Sequence, residues 1–395
     1  MNIKEIYFDN SATTKVDDQV IEAMLPFMQE TYGNANALHS FGQIALEAVE
    51  ESREKISKFF NCDNQEIIFT SGATESNNIA IQGVANELLK KDKDIHIITS
   101  RIEHPAVLEV VKKLGKNKKV SFDLVDVDKD GIVRLDKLKS LIKDNTVMVS
   151  IMYANNEVGT IQPIKEISEM LKESLAGRSN KDFPLLLHVD AVQAINYLDC
   201  NVVELGIDLL SFSGHKIYGP KGIGGLYVKG GIKINNIIQG GHQEFNIRPG
   251  TLNVPGIVGL GKAIELIAQN RNKDFQKIKK IKDKLTAEIE KIEDTRFNGD
   301  YERQLPNILN ISFKKAEGES LLMMLDMAGI SISTGSACSS GSLEPSHVLT
   351  AMGVSPEWAH GSLRISLGRF NSESEIPSFV ASLIATVEKL RKMAP

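Results

Sequence analysis

From Ile67 to Val228 the sequence alternates short apolar runs with helix-length segments, and this alternation restricts the fold more than any other feature. The runs are Ile67–Thr70, Ile95–Thr99, Ser121–Val127, Val147–Met152, Leu185–Val189, Leu209–Phe212 and Gly224–Val228. Several are apolar at nearly every position, as strands covered on both faces must be. Asn77–Lys90, Ala106–Leu114 and Ile164–Leu175 carry helical spacing between them. Strand–helix–strand alternation predicts an α/β fold built on a mostly parallel, seven-stranded, doubly wound sheet. Leu209–Phe212 and Gly224–Val228 are joined too closely for a crossover helix, so one of them is expected to run antiparallel.

Helices are expected ahead of this region over Asp17–Glu30 and Gly42–Phe60, with a loop at Tyr32–Asn36. After Pro255 the alternation stops. A helical stretch from about Gly256 to Ile292 sets Phe275, Ile278, Ile281, Leu285, Ile289 and Ile292 at spacings of three and four. Its lysines are interleaved with Asp274, Asp283, Glu288 and Glu290, the pattern of a solvated face rather than of a nucleic-acid patch. The remainder reads as strand Ile308–Phe313, helix Gly318–Met327, a Ser/Gly-rich loop over 333–342, strand Leu363–Leu367 and a closing helix from about Glu373. The expected division is a large α/β domain over 15–256 and a smaller α+β domain over 257–395, with residues 1–14 packing on the latter.

The formal net charge of -5 gives no reason to expect nucleic acid or an anionic membrane surface as a partner. Three cysteines, Cys62, Cys200 and Cys338, form no close pair and argue against a disulfide framework or a metal site. The first residues lack the pattern of a signal peptide, and no apolar run reaches the ~18 residues of a membrane span. A cytoplasmic protein is the expectation.

The polar residues at the strand ends carry the chemistry. Lys216 lies in the turn Ser213–Gly222 between the last two runs, where open α/β sheets place ligands. A lysine there can form a Schiff base with an aldehyde cofactor. Thr70-Ser-Gly-Ala-Thr-Glu-Ser76 follows a strand and opens a helix, so Ser71, Ala73 and Thr74 suit a phosphate; an ordinary helix cap reads the same way. Asp190 ends the run Leu185–Val189, where a carboxylate holds a pyridine nitrogen protonated or simply caps a helix. His104 follows another strand, placed either to lie against a ring and move protons or to serve as a structural histidine. Tyr153–Gly159 adds side-chain amides at a fourth strand end. Together these groups describe a pyridoxal 5′-phosphate site.

With these residues assembled, the chain resembles the cysteine desulfurases of the NifS/IscS type, in the class V aminotransferase group. The resemblance runs over nearly the whole chain. It rests on Asp9-Asn-Ser-Ala-Thr-Thr14, Thr70–Glu75, Glu103-His104, Asn155-Asn-Glu157, His188-Val-Asp190, Ser213–Gly222, Gly250-Thr-Leu-Asn253, Ser333-Thr-Gly-Ser-Ala-Cys338 and Arg364–Arg369.

The resemblance implies the fold type I architecture of pyridoxal-phosphate-dependent transferases. It implies Lys216 as the Schiff-base lysine, Asp190 facing the pyridine nitrogen and His104 stacked on the ring. Asn155 and Gln193 would touch the ring oxygen side. Ala73, Thr74, Ser213 and His215 would hold the phosphate, with Thr251 contributed across a homodimer interface. Arg364 would clamp the carboxylate of L-cysteine, assisted by Asn34 and with Asn155 close by. Cys338 would receive the sulfur as a persulfide and pass it to an acceptor such as an iron–sulfur scaffold, or toward tRNA thiolation, with His104 as its proton acceptor. No resident metal is implied, although the Cys338 persulfide could transiently ligate an iron–sulfur species. Selenocysteine lyase or aminotransferase activity on the same fold is the nearest rival, and a non-enzymatic sulfur carrier is the rival of another class. Departures from the family pattern are Ala35 in place of proline and Pro249 in place of serine. The chain also ends at Pro395, where some members extend into a tail that docks a scaffold.

Overall fold

The computed structural model describes residues 5–178, 183–334 and 345–394. A two-residue strand, β1 (Ile6–Tyr7), precedes two helices, Asp18–Gln29 and Ser40–Phe60. The main sheet then forms from β2 (Ile67–Thr70), β3 (Ile95–Ser100), β4 (Val120–Val125), β5 (Thr146–Met152), β6 (Leu186–Asp190), β7 (Leu209–Ser213) and β8 (Gly224–Val228). Its order is β2-β8-β7-β6-β5-β3-β4. β3 to β7 pair in parallel, and β8 is antiparallel to both its neighbours. The strand joined too tightly for a crossover is therefore the reversed one.

Alternate residues of these strands feed two apolar layers, as a period of two requires. Ile67, Phe69, Leu210 and Phe212 face one core, packed against helices Ser40–Phe60, Ile164–Gly177 and Val254–Ile289. Ile68, Leu209 and Leu226 face the other, under helices Ala73–Leu89 and Pro105–Leu114. On β6, Leu187 and Val189 point into the first core. His188 and Asp190 must then point to the second face, toward helix Ala73–Leu89.

A second sheet is wholly antiparallel, in the order β12-β13-β10-β9. Its strands are β9 (Thr295–Asn298), β10 (Ile308–Phe313), β12 (Ser333–Thr334) and β13 (Ser362–Ser366), covered by helices Gly318–Met327 and Ile376–Met393. β1 pairs with the remaining strand, β11 (Ile330–Ser331), and Asp9 bridges to Ser366, so the N-terminal residues lie on this C-terminal part. The expected boundary at 256/257 falls in the first turn of helix Val254–Ile289. That helix has buried residues from Val254 to Ile267 and again from Ile278 to Ile289, and both parts share it. Ser333 and Thr334, expected as the start of a loop, are strand β12. Cys338 lies outside the described residues.

Candidate active site

The carboxyl ends of β2, β3, β5, β6 and β7 open on one cavity of about 620 Å³. Lys216 reaches it from a single 3-10 turn, Gly214–Lys216, that follows β7. Its Nζ donates to the main-chain oxygens of Ser11 (2.5 Å) and Ala12 (2.7 Å). Gln193 Nε2 donates to the same Ser11 oxygen at 3.1 Å, and Thr13 Oγ1 meets His215 Nδ1 at 3.2 Å. The segment Asp9–Thr14 thus forms one wall of the site. On its other side Asn10 Nδ2 donates to the Ser366 carbonyl at 3.0 Å, and Ser11 N to Ser366 Oγ at 2.9 Å.

Asp190 stands at the end of β6. Its carboxylate accepts from Asn77 Nδ2 (2.8 Å) and from Val192 N (3.1 Å). Two residues earlier, His188 is enclosed between Ser150 Oγ (2.8 Å) and Ser211 Oγ (3.1 Å). Burial pulls its pKa down to about 3, so it stays neutral below Asp190. His104 caps helix Pro105–Leu114, its Nδ1 accepting from Ala106 N at 3.1 Å. Burial lowers its pKa, opposed by the negative charge of Asp190 and reinforced by Lys216. The neighbouring Glu103 is fully buried, and burial lifts its carboxyl to about 8.

The phosphate-type cradle lies at the start of helix Ala73–Leu89. Its N-cap, Gly72, has φ +152° and supplies no side-chain cap. A helix N-terminus leaves its first amides without helical acceptors and carries partial positive charge. Ser71, Ala73 and Thr74 line the cavity there, with Ser213 and His215 opposite. Burial and the charges of Lys216 and Lys221 hold His215 at about 4, so it is a neutral hydrogen-bonding group at working pH. Ser71 N donates to Glu75 at 2.6 Å, and Glu75 also accepts from Arg248 Nε at 3.1 Å, which ties the cradle to the loop ahead of Thr251.

Arg364, from β13, closes the far side. Its Nη2 donates to Asp9 Oδ1 (2.9 Å) and its Nη1 to the Asn156 carbonyl (3.0 Å), while Nε has no hydrogen-bond partner among the described residues. Three of the five N–H groups of a guanidinium are not spent on these two bonds. A carboxylate takes such groups in a fork.

Of the residues expected to form the site, the cavity wall brings together Ala73, Thr74, His104, Asp190, Gln193, Ser213, His215, Lys216 and Arg364. Asn155 does not line this wall. Its amide donates to the Ile102 carbonyl (3.0 Å) and meets Met152 Sδ (3.3 Å), and its oxygen accepts from Glu157 N (2.8 Å) and Val158 N (3.0 Å). With that capacity used and no place on the wall, Asn155 shapes the turn, and the next residue, Asn156, lines the cavity. Asn34 and Thr251 are exposed and away from the wall of their own chain. Asn77 and the segment Ser11–Thr13 were missed as site residues. The signal for Asn77 was a pair of poor helix formers, Asn77-Asn78, just inside a helix.

A family model described as aminotransferase class-V matches residues 6–379, and the chain belongs to that family. Within it the chain is similar along its whole length to cysteine desulfurases of the IscS type. One from Dictyoglomus turgidum is 47% identical over 395 residues, spanning 99% of this chain and 97% of the relative. A solved NifS-like protein matches with a TM-score of 0.90 at 40% identity, over 98% of this chain and 100% of its own. SspA, solved in complex with cysteine, matches with a TM-score of 0.79 at 34% identity, over 93% of this chain and 100% of its own.

Proposed function

We propose that this chain is a pyridoxal-phosphate-dependent cysteine desulfurase that converts L-cysteine to L-alanine and holds the sulfur as a persulfide on Cys338. The observation that carries the reading is the convergence of Lys216, Asp190 and the uncapped start of helix Ala73–Leu89 on one cavity, with Arg364 across it. The residues fit the cofactor: N-terminal amides for a phosphate, a carboxylate for a pyridinium nitrogen and an amine for an aldehyde. When bound, pyridoxal 5′-phosphate supplies that aldehyde and an electron-withdrawing ring.

Each protein group then has a defined task. Ala73, Thr74, Ser213 and His215 hold the phosphate end, and Asp190 holds the ring nitrogen. Gln193 and Asn156 face the ring oxygen side. Arg364 holds the substrate carboxylate through the N–H groups not used by Asp9 and Asn156. Lys216 Nζ takes the α-proton of cysteine. The Cys338 thiolate attacks the substrate sulfur: an S–S bond forms as the Cβ–S bond breaks, its electron pair is protonated at Cβ to give a methyl group, and Lys216 returns a proton to Cα to complete alanine. His104, kept neutral by burial with Nδ1 accepting from Ala106 N, carries its proton on Nε2 and is suited to exchange that proton within the cavity.

The persulfide passes to an acceptor protein, such as an iron–sulfur scaffold, or toward tRNA thiolation. The working unit is a cytoplasmic homodimer in which Thr251 and Asn34 complete the partner's site. Exposed Leu38, Phe41 and Ile44 beside Asn34 support such an interface. Among the described residues no helix is long and apolar enough to cross a membrane. The proposed domain division keeps Lys216 and Asp190 in 15–256 and Arg364 and Cys338 in 257–395. Incubation with L-cysteine and a reductant tests the function: alanine and sulfide should appear in equal amounts and vanish in Lys216→Ala. Release of pyruvate instead of alanine would refute it.

A further inference from the structure

We propose that Asn77 is a positioning residue that fixes the Asp190 carboxylate for the ring nitrogen of the bound cofactor, an inference that rests on the pyridoxal-phosphate reading above. Asn77 is fully buried on the second turn of helix Ala73–Leu89 and lines the cavity. Its Nδ2 lies 2.8 Å from Asp190 Oδ2. Its Oδ1 is buried with no hydrogen-bond partner among the described residues.

These facts fix the sense of the contact. An amide can turn either its N–H or its oxygen toward a neighbour. Against an ionised carboxylate only the N–H side is attractive. Facing Asp190 in this way leaves the amide oxygen unsatisfied, and an unsatisfied buried acceptor is costly enough to require a compensating gain. The gain is a carboxylate held at both ends, by Asn77 on Oδ2 and Val192 N on Oδ1, at the cavity wall.

The placement also has a geometric meaning. Ala73, at the cradle, and Asn77 are four residues apart on one helix, roughly 6 Å along its axis. A single rigid element thus supports the phosphate end through its first-turn amides and the ring-nitrogen end through Asn77. Sheet and helix cannot slide past one another without breaking the Asn77–Asp190 bond.

The test compares equilibrium binding of pyridoxal 5′-phosphate and of its 1-deaza analogue to the purified apo-protein. The two share the aldehyde and the phosphate and differ at the ring nitrogen. The parent protein should prefer pyridoxal 5′-phosphate. Asn77→Ala should weaken its binding roughly tenfold or more, the scale of one hydrogen bond to a charged group, and leave the analogue within about twofold. Asn77→Asp, of the same shape, sets a second carboxylate against Asp190 and should abolish the preference too; it serves if Asn77→Ala does not fold. Equal losses for both ligands, or an unchanged preference in both variants, would overturn the role of Asn77 and leave the functional reading standing. Failure of the parent protein to bind either ligand would overturn both.

Discussion

A methyl group added to Gly224 would lie 2.7 Å from the Cα of Gly72, and 2.5 Å from the Phe212 carbonyl oxygen. The strand that follows Lys216 therefore presses directly on the turn that opens the cradle. Both neighbours are main-chain atoms and cannot swing aside. Gly224→Ala should displace the cradle, weaken cofactor retention at least tenfold and destabilise the fold by about 1–3 kcal/mol. Equilibrium dialysis and denaturant unfolding check it, and normal retention would show that the turn can yield.

Arg364 offers a planar fork already oriented by Asp9 and Asn156. Lysine keeps the charge and loses the fork. Arg364→Lys should retain the yellow cofactor and raise KM for L-cysteine about tenfold to a hundredfold, with a smaller change in kcat. Steady-state kinetics with a cofactor spectrum separate this outcome from a loss of the site.

Glu103 carries a pH dependence whose sign is fixed. Burial lifts its folded-state pKa to about 8, from the ordinary 4.5. Between those values the folded chain holds a proton that the unfolded chain has lost. Its contribution is fully present below about pH 4.5 and is lost as pH rises through about 8, at a slope of about 1.4 kcal/mol per pH unit. Glu103→Gln should lack that slope, so the difference between variant and parent unfolding free energies should change by about 1.4 kcal/mol per pH unit from pH 5 to 8. Parallel curves would mean that Glu103 is ionised in the fold.

Leu38 is 93% exposed and Phe41 46% exposed at the start of helix Ser40–Phe60. Apolar side chains grouped this way mark an association surface. The double variant Leu38→Glu, Phe41→Glu should halve the particle mass in light scattering and reduce activity together with it. A full-mass, active variant would place the dimer interface elsewhere.

Cys338→Ser should bind the cofactor and L-cysteine as the parent does and release neither alanine nor sulfide. Absorbance titration with L-cysteine and product assay on the same sample check both halves. Turnover at the parent rate would remove the persulfide from the proposal.

Several of the main strands were legible because strands buried on both faces must be largely apolar, whereas the edge strand β4, Val-Ser-Phe-Asp-Leu-Val, is only part-buried. Helix Leu135–Leu141 escaped notice because only Leu138 among its residues is buried. β9, Thr-Arg-Phe-Asn, has little apolar pattern of its own and is defined by pairing with β10. Within the site, Lys216 and Asp190 were readable from their position at the end of an apolar run. Asn155 and Asn156 were not separable, since they are identical neighbours in a turn and the strand period no longer applies there. The carbonyls that receive Lys216 lie about two hundred residues away and carry no side-chain signature.

The Asp9–Thr14 wall also bears on how the chain is made. Its anchor, Ser366, leaves the ribosome some 355 residues after Ser11. Until then the segment can be held from the sheet side alone, by Gln193, His215 and Tyr218, although the turn bearing the lysine is long since synthesised. Contacts this distant in sequence close late, after local structure has formed. A nascent chain can thus build its main sheet before the wall that receives its reactive amine is anchored on both sides.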